Sequence, residues 1–251
     1  MREIEVLGNK ITDLSTRELL GEIDRVIRDD AFEIVLNTNV HGILLSQRLP
    51  WLKAFRNSVR ITHCDGGGVA IAARILGCAM GPRVSLNDFF WDFAARCADV
   101  GHSVFLLGAT EQVIARAEEA VRARCPALRI AGAHHGYFAK QGPQTDAVIR
   151  RINESGANVL LVGFGMPLQE RWILDHAARL RVNVVWAVGG LFDLISGDLA
   201  MAPRWVRAHA LEWMWLSLQR PGRFFGRYLL ENPEFLVQVL IERAQRSRPL
   251  Q

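Results

Sequence analysis

Asp65 has the setting in this chain that most invites chemistry. It stands between a short β-branched run ending in Thr62 and three consecutive glycines, Gly66 to Gly68, which open an apolar helical pattern through Val69, Ile71, Ala72, Ile75 and Leu76. A carboxylate at such a strand-to-helix junction can take a proton from a hydroxyl, and the bare backbone N–H groups beside it can face an anionic ligand. The competing role is local, because an aspartate there can simply cap the helix. Asn37, Thr38 and Asn39 pose the same choice, since they follow the apolar run at 32–37 and precede a helical stretch, His41 to Gln47. The trio can cap that helix, or it can bind ligand. In parallel α/β sheets ligands gather at the carboxyl ends of strands, where Asn39 and Asp65 both fall.

Glycines mark four further strand ends. Gly108 follows SVFLL at 103–107. The HHGYF loop at 134–138, which also displays Tyr137, follows a strand at 128–133. Gly163 and Gly165 follow Val159 to Val162, and Gly189 and Gly190 follow 183–188. Together they suit a groove for phosphate and ribose. Neither GFGMPL at 163–168 nor GGGVAI at 66–71 completes GxGxxG, which counts against an NAD-dependent epimerase or dehydrogenase, and no cofactor is expected. No metal is expected either. Asp-x-Asp occurs nowhere, the four cysteines stand singly, and the rings of His134 and His135 should diverge from an extended backbone with no third ligand at metal spacing. Neutralising a diphosphate would then fall to arginine and backbone.

The elements needed to position these residues follow from the alternation of short apolar runs with helical patterns. Ser15 and Glu18 form a capping box before Leu19, Leu20, Ile23, Val26 and Ile27. An aromatic helix spans 87–100, with its rings read as core, and strand–helix alternation continues to Gly190. The fold class expected is α/β, a Rossmann-like, doubly wound, mostly parallel sheet with a C-terminal helical, arginine-rich appendage. We place a catalytic domain at 1–200 and the appendage at 201–251.

Charge separates the two parts. Residues 201–251 hold eight arginines, no lysine and four acids, and this segment carries the whole net charge of +4. A tryptophan-rich helix is expected from Pro203 to Leu218. The QRPGRFFGR stretch at 219–227 should break it, and a third amphipathic segment should begin at Pro233. Arg220, Arg223 and Arg227, interleaved with Phe224 and Phe225, suit anionic lipid or a pyrophosphate better than nucleic acid, for which no module is present. Alternatively the tail is a helical hairpin on the sheet with solvated arginines. No signal peptide and no apolar run of about 18 residues is apparent. Membrane contact would be peripheral, single cysteines suit a reducing cytoplasm, and an exposed apolar tail favours self-association.

Six blocks together resemble the WecG/TagA/CpsF bacterial glycosyltransferases (glycosyltransferase family 26). They are NTNVHG at 37–42, CDGGGVAIAARILG at 64–77, VFLLGAT at 104–110, HGYF at 135–138, LLVGFGMPLQERWI at 160–173, and the long run from Ala187 to Leu229 that includes Asp193. The resemblance implies inverting, metal-independent transfer of a sugar from a UDP-sugar donor to a polyprenyl-diphosphate-linked sugar acceptor, in surface polysaccharide biosynthesis at the inner face of the cell membrane. It implies Asp65 as catalytic base. Thr38, Asn39 and Gln169 would line the substrate pocket, with Gly108, Tyr137, Gly163 and Asp193 also binding substrate. Arg220, Arg223 and Arg227 would close over a diphosphate. A reading from another class is a non-catalytic, nucleotide-binding scaffold subunit that recruits a transferase to the membrane.

Overall fold

The computed structural model describes residues 1–209 and 211–246, and of residues 208, 223–225 and 227 the backbone alone. The described residues form eight strands: β1 (Arg2–Val6), β2 (Asn9–Asp13), β3 (Glu33–Thr38), β4 (Ile61–Cys64), β5 (Ser103–Gly108), β6 (Arg129–His134), β7 (Val159–Gly163) and β8 (Val184–Ala187). They form one sheet in the order β1-β2-β4-β3-β8-β7-β5-β6. The β1–β2 pair is antiparallel, whereas β2–β4, β3–β8, β7–β8, β5–β7 and β5–β6 are parallel. The α/β, mostly parallel, Rossmann-like reading therefore holds. Its cause is visible in β5, β7 and β8, whose SVFLLG, VLLVG and VVWA runs are buried at every position, as strands covered on both faces must be.

Helices connect the strands: α1 (Thr16–Arg28), α2 (Val40–Arg48), α3 (Pro50–Ser58), α4 (Gly67–Ile75), α5 (Leu86–Val100), α6 (Glu111–Arg124), α7 (Pro143–Ser155), α8 (Leu168–His176) and α9 (Leu191–Ile195). The tail adds α10 (Arg204–Ala208), α11 (Glu212–Gln219) and α12 (Pro221–Arg246). The chain falls into two compact units. The first comprises Met1–Ser15, Asn37–Ser85 and the chain from Leu199 onward; the second comprises Thr16–Leu36 and Leu86–Asp198.

In the first unit the hairpin partner β2 has no counterpart in the sequence reading. Leu7 and Gly8 form its two-residue turn, with φ of 50° and 68°. Such a turn needs positive φ twice, and leucine does not advertise it. The tail also departs from expectation. Instead of one helix from Pro203 to Leu218 there are two, and the segment expected to begin at Pro233 is the middle of the 26-residue α12. Pro221 opens α12, where its missing N–H costs nothing. The helix persists through Pro233 because Phe235 and Val239 are buried in a cluster with Val6, Ile11, Ile43, Leu44, Val69 and Ala72. Packing there outweighs the propensity cost of an interior proline, about 3 kcal/mol.

Candidate active site

Asp65 follows β4 directly, and the backbone on both sides of it is tied to the end of β3. Asp65 N and Gly66 N both donate to Thr38 O, at 2.9 and 3.2 Å. Asn37 Nδ2 donates to Asp65 Oδ2 at 3.1 Å, while Asn37 Oδ1 is buried without a hydrogen-bond partner. The N-cap of α4 is Gly66, with no side-chain cap bond. The carboxylate of Asp65 is thus directed at Asn37 and does not close the helix start. Glycine is needed here for space. A Cβ on Gly66 would lie 3.1 Å from Asn39 Cβ, and one on Gly68 would lie 2.7 Å from Val40 Cγ2.

The other two polar residues at the end of β3, Thr38 within it and Asn39 just past it, have separate tasks. Asn39 Oδ1 accepts from Gly42 N at 2.9 Å and caps α2, the local role weighed from sequence. Thr38 is fully buried, and its hydroxyl accepts from Arg56 Nη2 at 2.7 Å. Arg56, 1 % exposed on α3, also donates to Asn37 O at 3.2 Å. Sequence reasoning passed over Arg56, yet a signal existed: Leu52, Phe55 and Arg56 fall at i, i+3 and i+4, so Arg56 shares the apolar face of its helix.

His63 on β4 is fully buried and donates from Nδ1 to Val84 O at 2.8 Å. Burial holds its imidazole below the usual range, against the opposing pull of the Asp65 carboxylate and with a further push from the Arg56 cation. Burial, reinforced by Asp65, raises the neighbouring Cys64 thiol to about 12. It is therefore a packing residue rather than a nucleophile.

In the second unit the strand ends after β5, β6, β7 and β8 crowd together. Gly108, at φ 154°, lies so close to Gly163 that a side chain would strike its carbonyl. A Cβ on Gly163 would come within 2.8 Å of Gly189 O, and one on Gly136 within 3.2 Å of Gly108 Cα. Ala109 N donates to Gly163 O and Gly136 N to Ala109 O, at 3.2 and 2.8 Å. Gln169 is fully buried. Its Oε1 accepts from Gly189 N at 3.1 Å and its Nε2 donates to Glu170 Oε1 at 3.0 Å, so it braces the turn after β8. Asp193 is half-buried in the short α9, and Tyr137 projects from its loop at 76 % exposure.

Lys140 fastens that loop. Its Nζ donates to Gly136 O and Phe138 O and lies 4.0 and 4.6 Å from the ring centroids of Phe138 and Phe164. His134 and His135 depart from expectation. Their rings do not diverge but approach to 4.5 Å between centroids at 35°, because β6 ends at His134 and the backbone leaves the extended path there. Among the described residues no group of three or more His, Cys, Asp or Glu is placed to share a metal ion.

Of the tail arginines, Arg220 is the exposed C-cap of α11. Arg223 and Arg227 lie in α12, and their side chains are outside the described residues. Arg83 ion-pairs with Glu212 and so ties α11 to the loop after α4.

A mostly parallel sheet covered by helices, with strand ends that turn on glycine, defines an α/β protein of the Rossmann-like class. The chain belongs to the glycosyl transferase WecG/TagA/CpsF family, whose model matches residues 4–249, and it is a glycosyltransferase. It is 29 % identical over 200 residues to an N-acetylglucosaminyldiphosphoundecaprenol N-acetyl-beta-D-mannosaminyltransferase of Bacillus spizizenii, which covers 80 % of this chain and 76 % of the relative. A protein of the same name from Staphylococcus aureus strain MW2 is 33 % identical over 184 residues, 73 % of this chain and 70 % of the relative.

Proposed function

We propose that this glycosyltransferase moves a sugar from a UDP-sugar to a saccharide carried on polyprenyl diphosphate, with inversion and without a metal, and that Asp65 is its general base. The observation that carries the reading is the seating of Asp65: a carboxylate at a strand end, held by Asn37 and by backbone rather than spent on capping. In this mechanism Asp65 takes the proton of the acceptor hydroxyl while that oxygen attacks the anomeric carbon. The bond to UDP breaks, and UDP leaves with the electron pair. The glycine-lined turns after β5, β7 and β8 supply close backbone approach to the nucleotide. Arg220, Arg223 and Arg227 neutralise the leaving diphosphate. The relatives' name specifies a diphosphoundecaprenol acceptor, which supports the acceptor class, and a β-linked product, which is what inversion at an α-linked donor would give.

The tail supplies the membrane contact in this account. No helix among the described residues is long and apolar enough to cross a membrane. On α12 the acids face inward: Glu231 binds His41 at 2.7 Å, Glu234 binds Arg48 at 2.5 Å, and Glu242 accepts from Leu7 N at 2.9 Å. Leu229, Leu230, Leu236, Val237, Leu240 and Ile241 are exposed on the remaining surface, with Arg243 beside them. An apolar face freed of negative charge suits the anionic inner leaflet, with the catalytic chemistry on the cytoplasmic side.

The deciding experiment incubates the protein with a panel of UDP-sugars and a short-chain polyprenyl-diphosphate N-acetylglucosamine in chelator, and reads the anomeric configuration of the product by NMR. A β-linked product from an α-linked donor, formed in chelator, is expected. Retention of configuration, or activity only with added metal, would overturn the mechanism. A scaffold subunit would yield no product at all.

A further inference from the structure

Asn37 and Arg56 stand behind Asp65 in a chain of hydrogen bonds that capping or packing alone does not call for. Arg56, an arginine buried to 1 % exposure, spends its Nη2 on the backbone oxygen of Asn37 and the hydroxyl of Thr38. The same two residues hold Asp65, Thr38 through its backbone oxygen and Asn37 through its side-chain amide. Burying a guanidinium is costly unless its hydrogen bonds are met, so a cation fixed on this turn points to a need for its exact shape. Asn37 is also oriented by chemistry. Only its Nδ2 can face a carboxylate oxygen, and this leaves Oδ1 buried without a partner.

We infer that Asn37 and Arg56 are positioning residues for the Asp65 base. Asn37 occupies Oδ2 of Asp65 and so leaves Oδ1 to receive the proton of the acceptor hydroxyl, while Arg56 fixes the Asn37–Thr38 backbone from which both holds on Asp65 issue. This inference rests on the reading of Asp65 as base. Loss of the amide leaves the carboxylate in place but free to rotate, and rate falls because the proton acceptor is no longer held in one orientation. Replacing Asn37 by Asp sets a second carboxylate about 3 Å from the first, and two carboxylates at that spacing share one proton.

The test compares wild type with Asn37→Ala, Asn37→Asp, Arg56→Lys, Arg56→Met and Asp65→Asn, measuring acceptor-dependent UDP release, UDP affinity by calorimetry, and Tm. For Asn37→Ala, kcat should fall about 10- to 100-fold with UDP affinity within twofold of wild type. Asn37→Asp should move the acid limb of the pH–rate profile upward by a unit or more, which a change in packing would not do. Arg56→Lys should recover at least tenfold over Arg56→Met. If Arg56→Met fails to fold, the two Asn37 variants and Arg56→Lys still decide. Asn37→Ala in the Asp65→Asn background should cause no further loss. Unchanged kcat in Asn37→Ala beside a crippled Asp65→Asn would overturn the positioning roles alone. Unchanged kcat in Asp65→Asn would overturn the base itself.

Discussion

At the scale of single residues, the surroundings of Asp65 were only partly legible from sequence. A lone carboxylate before three glycines announces a strand-to-helix junction, and the structure has one there. What the sequence could not say is which neighbour touches it. Asn37, Thr38 and Asn39 are chemically alike in a string of letters, but strand pleat and turn send their side chains to three different partners: Asp65, Arg56 and the start of α2. His63, two residues before Asp65, yields a prediction of its own. Its folded pKa is lowered by burial, so the unfolded chain binds its proton more readily. The stability it contributes is present above the ordinary imidazole pKa, about 6.5, and is lost as pH falls from there toward the folded value. His134, lowered chiefly by partial burial, adds the same sign. Urea unfolding should show stability dropping as pH falls from 7.5 to 5.5, by up to about 1.4 kcal/mol per pH unit for His63, with His134 adding less because solvent screens it. The slope should flatten in His63→Asn. A flat wild-type profile would contradict the burial argument.

At the scale of elements, most helices and strands followed from periodicity, and the failures have separate causes. The β1–β2 hairpin turns on a leucine at positive φ, α3 was overlooked between stronger signals, and α12 continues through a proline. In α12 tertiary packing overrides local preference. Because Phe235 and Val239 complete the core of the first unit, deleting the tail would expose that core and confuse any test of membrane docking. Point changes on opposite faces separate the two roles. Phe235→Ala should cost about 3 kcal/mol or more of stability. Leu236→Ser, one residue on and exposed, should cost under about 0.5 kcal/mol while weakening binding to anionic vesicles. Equal destabilisation by the two would mean that the outer face of α12 is covered.

At the scale of the whole molecule, the +4 charge resides in the tail, and sequence alone was enough to see this. Arrangement decides its use, since the acids of α12 are spent on inward contacts. Binding to vesicles containing anionic lipid should therefore weaken as salt rises from 0.05 to about 0.5 M and should be nearly absent on neutral vesicles. Salt-independent binding would assign the contact to apolar insertion alone. The donor sugar was not legible, because pocket shape depends on side chains brought together from distant parts of the chain. The most direct test of the account is acceptor-dependent UDP release by Asp65→Asn, measured beside UDP affinity for the same protein. A fall in turnover of about 10²- to 10⁴-fold with affinity retained is the result predicted. Turnover near that of wild type would contradict Asp65 as the base.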